Sequence, residues 1–421
     1  MGFQQGLSGL NAASKQLDVI GNNIANASTV GFKGSRAEFG DMYANSFYGV
    51  ASTQAGIGVQ TLDVAQQMTQ GNITTTNNNL DIAINNNGFF IVKTGASTSG
   101  TSTGTLEYTR NGEFKVDNQG YIVNGPDRLQ GWVASNGVVT QGATADLQLQ
   151  TSLIAPSTTS KVTMGVNLDS RSTPPTVAFS PTTPASYNWS NSTSVYDSLG
   201  NAHNMTLYYR KQTPTATGTD WSVYAYVDGN AASIGGGAAG AATTINFGLT
   251  GSLTTAMPLA VSYTPPPATP TGSTSPIAYT LSYTGSTQYG QTSGTNSLTN
   301  DGYAAGTVSS INIDSTGIIQ ATYTNGQTKT IGQVALANFT NQQGLQPVGN
   351  NRWTQTYSSG PAQVNAPGSG TAGTLRDSAL EASNVDLTTE LVNLITAQRY
   401  YQANAQTIKA QDTIQQTLVN L

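Results

Sequence analysis

The sequence predicts a multidomain, mainly β protein whose long N- and C-terminal α-helices form a coiled-coil-like core domain. Three observations support this fold class. Apolar residues near both ends recur at steps of three and four, which places them on one stripe of a helix that packs lengthwise. The middle of the chain carries short alternating strands separated by tight turns. Finally, 421 residues are more than one compact core usually contains.

The N-terminal element is predicted to be one helix over residues 1–27. Its apolar stripe, with Ser14 and Gly21 filling the gaps, consists of Phe3, Leu7, Leu10, Leu17 and Ile24. The helix is expected to end near Asn26, because Gly31 and its neighbours favour a turn. Residues 34–76 mix glycine, asparagine and short apolar pairs, so we expect them to be extended and irregular.

Strand signals begin near residue 80, where the apolar period changes to two. Asn111-Gly112 and Asn325-Gly326 each lie between alternating strands. Asn-Gly favours a hairpin there, because a type I′ turn needs positive φ at both central residues. One set of strands ends near residue 116 and a second runs from 311 to 339. We expect both sets to pair in one discontinuous inner β domain.

The insert between the two sets is predicted to be an outer β domain with strands of its own. The chief strands are 194–196, 205–210 and 221–227. Their aromatic residues could form a carbohydrate-stacking platform, but cross-strand packing is the interpretation that we favour. These residues are Tyr208, Tyr209, Trp221, Tyr224 and Tyr226.

The C-terminal element is predicted to be a helix that starts near residues 383–386 and continues to Val419. Short polar side chains at its start can cap free N–H groups. Its stripe consists of Leu387, Leu391, Leu394, Gln398, Tyr401, Ala405 and Ile408. At about 1.5 Å per residue it is on the order of 50 Å long, more than one compact β domain can cover. We expect both end helices to pair and to bury these stripes further against neighbouring subunits.

These elements define the predicted domain boundaries. The helical terminal domain comprises 1–33 and 376–421, the extended connector 34–76 and 358–375, the inner β domain 77–150 and 300–357, and the outer β domain 151–299.

Composition excludes several classes of function. Charged residues are only 9%, against about 25% in ordinary globular domains, and the net charge of −5 predicts neither nucleic-acid binding nor an anionic membrane partner. The absence of cysteine excludes disulfides, thiolate catalysis and cysteine-bound metals. No apolar stretch approaches membrane-spanning length, and the N-terminus does not resemble a secretory signal.

No group of residues predicts catalysis, a cofactor or a metal site. The single histidine, His203, follows a Gly-Asn turn, and we expect it to be a solvated loop residue. A zinc site would need several histidine, cysteine or clustered carboxylate ligands. The candidate carboxylates lie beside turns or on alternating strands, where aspartate bonds its own backbone. They are Asp81, Glu107, Glu113, Asp117, Asp197, Asp301 and Asp314.

Both ends carry specific motifs that resemble one family. The N-terminal motifs are Ser8-Gly9-Leu10-Asn11-Ala12-Ala13, Leu17-Asp18-Val19-Ile20-Gly21-Asn22-Asn23-Ile24-Ala25-Asn26 and Val30-Gly31-Phe32-Lys33. The C-terminal motifs are Ala379-Leu380-Glu381-Ala382-Ser383-Asn384-Val385-Asp386 and Gln398-Arg399-Tyr400-Tyr401-Gln402-Ala403-Asn404. Together they closely resemble the bacterial flagellar rod and hook axial proteins.

Within that family the chain most resembles the hook subunits. The length of the chain leaves room for an outer insert. Residues 195–203 are similar to a motif of the hook outer domain, and residues 332–339 and 344–345 are similar to part of the hook inner domain. The resemblance implies a structural polymer and no enzyme: a hollow curved tube that joins rod to filament and transmits torque as a universal joint.

The same resemblance implies partners and a location. The expected partners are other copies of the chain, the rod, hook-cap and hook–filament junction proteins and the flagellar export apparatus, with no nucleic acid and no membrane insertion. The expected location is the extracellular flagellar hook, reached by export without a cleavable signal peptide. Three alternatives remain open: a distal rod protein of the same family, a secreted β-rich adhesin, and a glycoside-active enzyme.

Overall fold

The structure, a computed structural model, describes residues 2–42, 56–95, 104–135, 137–149, 153–265 and 272–419. The chain divides into two compact units. Unit 1 comprises residues 1–151, 309–322 and 328–421, and unit 2 comprises 152–308 and 323–327. The described residues are mainly β, with one long α-helix near each end, which confirms this part of the predicted fold class. The coiled-coil character of the helix pair stays a prediction.

The helices are α1 (Gly2–Ala25) and α2 (Leu387–Val419), and short 3₁₀ turns lie at Pro184–Ser186 and Gln342–Gly344. The strands before residue 200 are β1 (Ser35–Met42), β2 (Gly58–Gln66), β3 (Ile73–Thr75), β4 (Ile82–Asn85), β5 (Phe89–Lys93), β6 (Leu106–Thr109), β7 (Lys115–Val116), β8 (Ile122–Asn124), β9 (Asp127–Ser135), β10 (Val138–Val139), β11 (Ala145–Asp146), β12 (Lys161–Asn167) and β13 (Trp189–Tyr196).

The remaining strands are β14 (Ala202–Lys211), β15 (Thr219–Val227), β16 (Asn230–Ala231), β17 (Ser233–Ile234), β18 (Thr243–Phe247), β19 (Leu259–Tyr263), β20 (Ile277–Ser282), β21 (Gly294–Asn300), β22 (Val308–Ile313), β23 (Ile318–Tyr323), β24 (Thr328–Val334), β25 (Leu336–Asn338), β26 (Gln346–Gly349), β27 (Arg352–Thr354), β28 (Gln363–Asn365), β29 (Thr374–Asp377) and β30 (Ala379–Glu381).

The principal sheet of unit 1 has the strand order β22-β23-β24-β9-β5-β6-β27-β26. Strand β24 pairs with β9 and β25 pairs with β5, so strands that precede and follow the insert lie in one sheet. The core beside β5 is aromatic: Phe89 meets Trp353 edge-to-face with ring centroids 5.6 Å apart, and Tyr108 meets Phe339 at 4.7 Å. Such pairs contribute more than their buried area alone.

The segment predicted to be irregular instead contains a long antiparallel strand pair. Strands β1 and β2 pair from Ser35 with Gln66 to Met42 with Gly58, with one irregularity after Glu38. No residue in either strand is fully buried, so neither strand turns one face to the core. Strands of this kind do not need the alternation of apolar and polar residues by which a half-buried strand is recognised in a sequence. The rest of this prediction, residues 43–55, lies outside the described residues.

The two Asn-Gly predictions have different outcomes. Asn325-Gly326 does connect the antiparallel strands β23 and β24, but only Gly326 has positive φ, so the turn is not type I′. The hairpin at Asn111-Gly112 is wrong, because β6 pairs with β5 and β27. A Cβ on Gly112 would lie 1.7 Å from the Ile82 carbonyl oxygen, so this glycine permits a close backbone approach.

Unit 2 contains two sheets around a separate core. One has the order β13-β14-β15-β16, with β18 paired to β15, and the other has the order β17-β19-β20-β12-β21. Strands β13, β14 and β15 contain the three predicted strands of the insert, which are confirmed. Burial alternates along β14, as expected for a strand with one face in the core.

The aromatic residues of β14 and β15 pack, as predicted, within the protein. Tyr209 and Trp221 are fully buried, and the Tyr209 hydroxyl lies 2.9 Å from that of Tyr283. On the opposite face, Phe179 stacks on Tyr224 with ring centroids 3.6 Å apart. The rings of this face therefore contact other rings of the chain.

The prediction for His203 is wrong. The residue lies in β14 and is 6% exposed, with its Nδ1 atom 2.7 Å from Asp228 Oδ2 and its Nε2 atom 3.5 Å from Asp197 Oδ2. Strand β14 begins at Ala202, three residues before the predicted start at Met205, and its alternation then points the imidazole inward.

Candidate functional site

Helices α1 and α2 pack side by side in opposite directions. A Cβ on Gly6 would lie 3.0 Å from Ile408 Cγ1, and a Cβ on Gly9 would lie 2.7 Å from Asn404 Oδ1. At the other end of α1, Asn23 Nδ2 lies 3.3 Å from Glu390 Oε1. The partners in α2 thus move towards its start as the chain advances along α1. Glycine at the closest points lets the backbones approach.

The buried face of α1 differs by one residue from the predicted stripe. Its buried residues are Gly6, Ala13, Ile20 and Asn23, of which Gly6 and Asn23 contact α2. Three members of the predicted stripe, Leu10, Leu17 and Ile24, are half-buried beside this face. The other two, Phe3 and Leu7, are 46% and 44% exposed.

Helix α2 shows this displacement only in part. Its most buried residue, Ala397, precedes the predicted Gln398, but the predicted Leu394, Ala405 and Ile408 are themselves half-buried. The other predicted residues, Leu387, Leu391, Gln398 and Tyr401, are exposed, with Leu387 at 48% and Leu391 at 45%. Further exposed apolar residues of α2 are Val392, Ile395, Tyr400 and Ile414. A large part of the apolar surface of α2 is therefore uncovered by the described residues of the chain.

The start of α2 is capped as the sequence predicts. The Asp386 carboxylate accepts a hydrogen bond from the Thr389 backbone N–H at 2.7 Å. This bond from Thr389 lowers the pKa of Asp386, because it favours the charged carboxylate. The cap sets where the helix begins.

A buried ionic cluster, Lys33, Arg110 and Glu381, joins the two ends of the chain to the β region of unit 1. The Lys33 ammonium lies 2.5 Å and the Arg110 guanidinium 3.0 Å from the Glu381 carboxylate. The Gly71 N–H donates to the same carboxylate at 2.9 Å. Burial lowers the pKa values of Lys33 and Arg110, and the charge of Glu381 opposes that effect. One carboxylate therefore serves as the shared counter-charge of two buried cations.

Two asparagines near the helix ends add neutral connections. The Asn384 side chain accepts from the Gly34 N–H at 2.8 Å and donates to the Gln67 carbonyl at 2.7 Å. The Asn23 side chain accepts from the Ser35 N–H at 2.9 Å and donates to the Ser35 carbonyl at 2.8 Å. These bonds fix the segments that leave α1 and enter α2 against one another.

The anchoring role of this cluster and of the two asparagines was not predicted from the sequence. Lys33, Asn23, Glu381 and Asn384 all lie inside the terminal motifs, but motif membership does not say what a side chain contacts. The available signal was an isolated charge among apolar and small neighbours, as at Lys33 after Val30-Gly31-Phe32. A charge in such surroundings is often buried and paired.

The described residues meet the requirements of neither a metal site nor a membrane-spanning helix. Within them, no group of three or more His, Asp or Glu side chains is placed to hold a metal ion. Neither helix, over its described length, is long and apolar enough to cross a membrane. The distinctive feature of the site is a firmly anchored helix pair that exposes apolar side chains.

Four family models match the chain in succession. They describe a flagella basal body rod protein at residues 3–33, a flagellar hook protein FlgE/F/G D1 domain at 83–164, a flagellar basal body protein FlaE D2 domain at 167–303, and a flagellar basal body rod FlgEFG protein C-terminal region at 376–421. Together they match both helices and parts of both units.

Relatives match over the full length. The flagellar hook protein FlgE of Escherichia coli (strain K12) is 42% identical over 434 residues, and that of Salmonella typhimurium is 40% identical over 429, each alignment covering 100% of both chains. The chain belongs to the flagellar hook protein family. The Treponema pallidum hook protein is 32% identical, with 99% of this chain and 98% of that one covered. This hook-family chain is a structural subunit of the flagellar hook.

One solved structure has a similar fold. The crystal structure of Helicobacter pylori flagellar hook protein FlgE2 matches with a TM-score of 0.51 at 14% identity, covering 73% of this chain and 100% of that chain. At this identity the likeness concerns the fold alone, and it fits the mainly β character of this chain.

Proposed function

We propose that this hook subunit polymerises through its terminal helices into a hollow, curved tube that joins the flagellar rod to the filament and transmits torque as a universal joint. The observation that carries the proposal is the uncovered apolar surface of α2. This helix has 33 residues, on the order of 50 Å, and its exposed large apolar residues are Leu387, Leu391, Val392, Ile395, Tyr400, Tyr401 and Ile414. Soluble monomers rarely expose so many large apolar side chains along one element.

The energy available from covering α2 is sufficient for assembly. Burying a Leu or Ile side chain completely gives roughly 1.5–3 kcal/mol, so a half-exposed residue such as Leu387, Leu391 or Ile395 would add about 1 kcal/mol. Several such residues repeat along both helices, and each subunit of a tube has several neighbours. Their sum offsets the entropy lost when subunits associate.

The proposed interface consists of the twelve residues predicted from the two stripes. They are Phe3, Leu7, Leu10, Leu17, Ile24, Leu387, Leu391, Leu394, Gln398, Tyr401, Ala405 and Ile408. In this arrangement the inner tube is lined by residues 1–33 and 376–421. The inner β domain comprises residues 77–150 and 300–357, the outer domain comprises 151–299, and the connector comprises 34–76 and 358–375. Half of these residues are exposed in the subunit, which supports the proposal because they stay available to other subunits. They are Phe3, Leu7, Leu387, Leu391, Gln398 and Tyr401.

The proposed partners follow from a place between rod and filament. Besides other copies of the chain, the subunit would contact the rod, the hook cap and the hook–filament junction proteins, after transport by the flagellar export apparatus without a cleavable signal peptide. Its location would be the extracellular hook. Charged residues at 9% and a net charge of −5 offer little to nucleic acid.

A substitution on α2 tests the proposal. Leu391→Asp places a charge on the exposed stripe, so we expect a folded monomer that no longer forms filaments under the electron microscope. Asn393→Asp adds the same charge at an exposed polar position of the same helix and should still polymerise. Deleting residues 380–421 should abolish filaments altogether. Normal filaments from Leu391→Asp would contradict the proposed interface.

A further inference from the structure

Lys211, the last residue of strand β14, is a buried cation of unit 2 that is bonded only to neutral groups. The residue is 5% exposed, and its ammonium donates to the carbonyls of Ser170 at 2.5 Å and Ser172 at 3.0 Å. A lysine ammonium has three N–H donors, and the described residues supply no third acceptor. One donor of Lys211 is therefore left for a group outside the described chain.

A neighbouring carboxylate balances the charge of Lys211 only in part. Both oxygens of the Asp169 carboxylate accept bonds from the Arg171 guanidinium, each at 3.0 Å, so that two cations share one anion. Burial lowers the pKa of Lys211, and the charge of Asp169 opposes this effect without cancelling it. A bound anion would supply the missing negative charge.

Lys211 also lines a pocket at which four segments of unit 2 meet. The segments follow strands β12, β14, β18 and β20, and the pocket has a volume of about 410 Å³, which is typical of small-molecule sites. The other described residues that line it are uncharged, and four of them are glycines, which leave backbone N–H and C=O groups accessible. The pocket therefore combines one positive charge with neutral hydrogen-bonding groups.

Tyr289 gives this pocket an aromatic wall. Its side chain is 53% exposed, but its backbone is fixed, because its N–H donates to Asn167 Oδ1 and its carbonyl accepts from the Ser170 N–H, both at 3.0 Å. A Cβ on Gly251 would lie 2.8 Å from Tyr289 Cε1, so this glycine leaves room for the ring. Because Ser170 bonds to both Lys211 and Tyr289, the cation and the ring lie beside one another.

We propose that this pocket binds an acidic sugar, with the carboxylate of the sugar on the Lys211 ammonium and its ring against Tyr289. The charge of Lys211 selects an anion, and the aromatic wall selects an anion that carries a ring with an apolar face. Thr215 and Thr250 line the same pocket with exposed hydroxyls, which can accept bonds from the hydroxyls of the sugar. The proposal does not depend on polymerisation, because every residue that it uses belongs to unit 2 of one chain.

Titration of the full-length protein with D-galacturonate, D-galactose and acetate, followed by NMR chemical shifts, tests both contacts. Galacturonate should bind with a dissociation constant on the order of 1 mM, as expected for about a dozen non-hydrogen atoms. Galactose lacks the carboxylate and acetate lacks the ring, so each should bind at least about 10-fold more weakly. Galacturonate that binds no tighter than galactose, or no tighter than acetate, would overturn the proposal.

Two variants separate the roles of the charge and the ring. Lys211→Met, which keeps the aliphatic stem, should weaken galacturonate binding at least about 10-fold and leave galactose binding unchanged. Tyr289→Ala removes a half-exposed ring and should weaken the binding of both sugars. Tyr357→Ala, at an exposed tyrosine of unit 1, is the matched control and should change neither.

The outcomes are decisive even if one variant does not fold, as judged by circular dichroism. Undiminished binding of galacturonate to folded Lys211→Met would overturn the proposal, and so would an equal loss of galactose binding, because the charge would then not be the group that selects the ligand. If Lys211→Met is unfolded, Tyr289→Ala decides, and galacturonate binding equal to that of the wild-type chain would overturn the proposal.

Discussion

Replacing Glu381 by glutamine should release both ends of the chain from the β region of unit 1. The carboxylate is wholly buried and accepts bonds from Lys33, Gly71 and Arg110. Glutamine has nearly the same shape but carries no charge and only one acceptor oxygen. Its amide nitrogen would therefore face a donor group, and two cations would remain buried without a counter-charge.

The expected loss of stability is large for one substitution. Removing one partner of a buried ion pair typically destabilises a protein by about 3–5 kcal/mol, because a charge is left buried and uncompensated. The side chains of Lys33 and Arg110 are 1% and 3% exposed, so solvent cannot take over the role of the carboxylate. Against a total stability of roughly 5–15 kcal/mol, such a loss would leave unit 1 marginal.

Glu38→Gln is the matched control. Glu38 forms an ion pair with Arg36 at 3.1 Å, but the two side chains are 44% and 67% exposed. Exposed pairs contribute about 0–1 kcal/mol, so this change should hardly affect stability. The two variants thus separate the effect of burial from the effect of removing a charge.

Calorimetry and hydrogen exchange would measure the difference. We expect Glu381→Gln to lower the unfolding transition of unit 1 and to leave that of unit 2 in place. The Gly31 N–H donates to the Glu381 carbonyl, and the Ala382 N–H donates to the Asn72 carbonyl. Hydrogen exchange at both of these amides should therefore accelerate. If Glu381→Gln costs no more than Glu38→Gln, the cluster does not anchor the termini and the reasoning is refuted.

Three further predictions concern the helices and unit 2. In thermal unfolding, Gly6→Leu should lower the free energy of unfolding by about 1–3 kcal/mol, because the larger side chain pushes α1 away from Ile408. Gly21→Ala should raise this free energy by up to ~1 kcal/mol, because a Cβ on Gly21 would meet no atom within 4 Å and alanine favours a helix more than glycine does. Asp386→Ala should speed hydrogen exchange in the first turn of α2. Because the folded pKa of Asp386 is lowered, its cap should act fully above the ordinary carboxyl pKa of 3.8 and weaken as the pH falls through the lowered value. Burial raises the pKa of Tyr283 well above 10.0, so unit 2 should lose stability as the pH rises beyond 10. In an alkaline denaturation experiment, this loss should be less steep for the variant Tyr283→Phe.

The terminal helices illustrate both the reach and the limit of sequence periodicity. The spacing of apolar residues predicted both helices, and the polar residues at 383–386 predicted where α2 begins. Periodicity did not identify the intramolecular face, because Gly6 and Ala13 carry almost no apolar signal. Small residues make the closest helix contacts, while the larger Leu7 one position later dominates the pattern.

The errors in the β region have a common physical origin. Turn propensity at Asn111-Gly112 is local, but the pairing of β6 was decided by β5 and by β27, which lies far along the chain. Strands β1 and β2 were missed because they pair with each other without burying a face. In each case a long-range partner decided the structure, and a single sequence does not name such partners.

The bond between Lys33 and Glu381 spans 348 residues, and this separation has a consequence for the order of folding. During synthesis the ribosome adds Lys33 long before Glu381. Most of unit 2, by contrast, is one continuous stretch from residue 152 to 308 and needs few distant partners. We expect unit 2 to become structured early and unit 1 to close only once Glu381 has been added, since widely separated contacts form slowly.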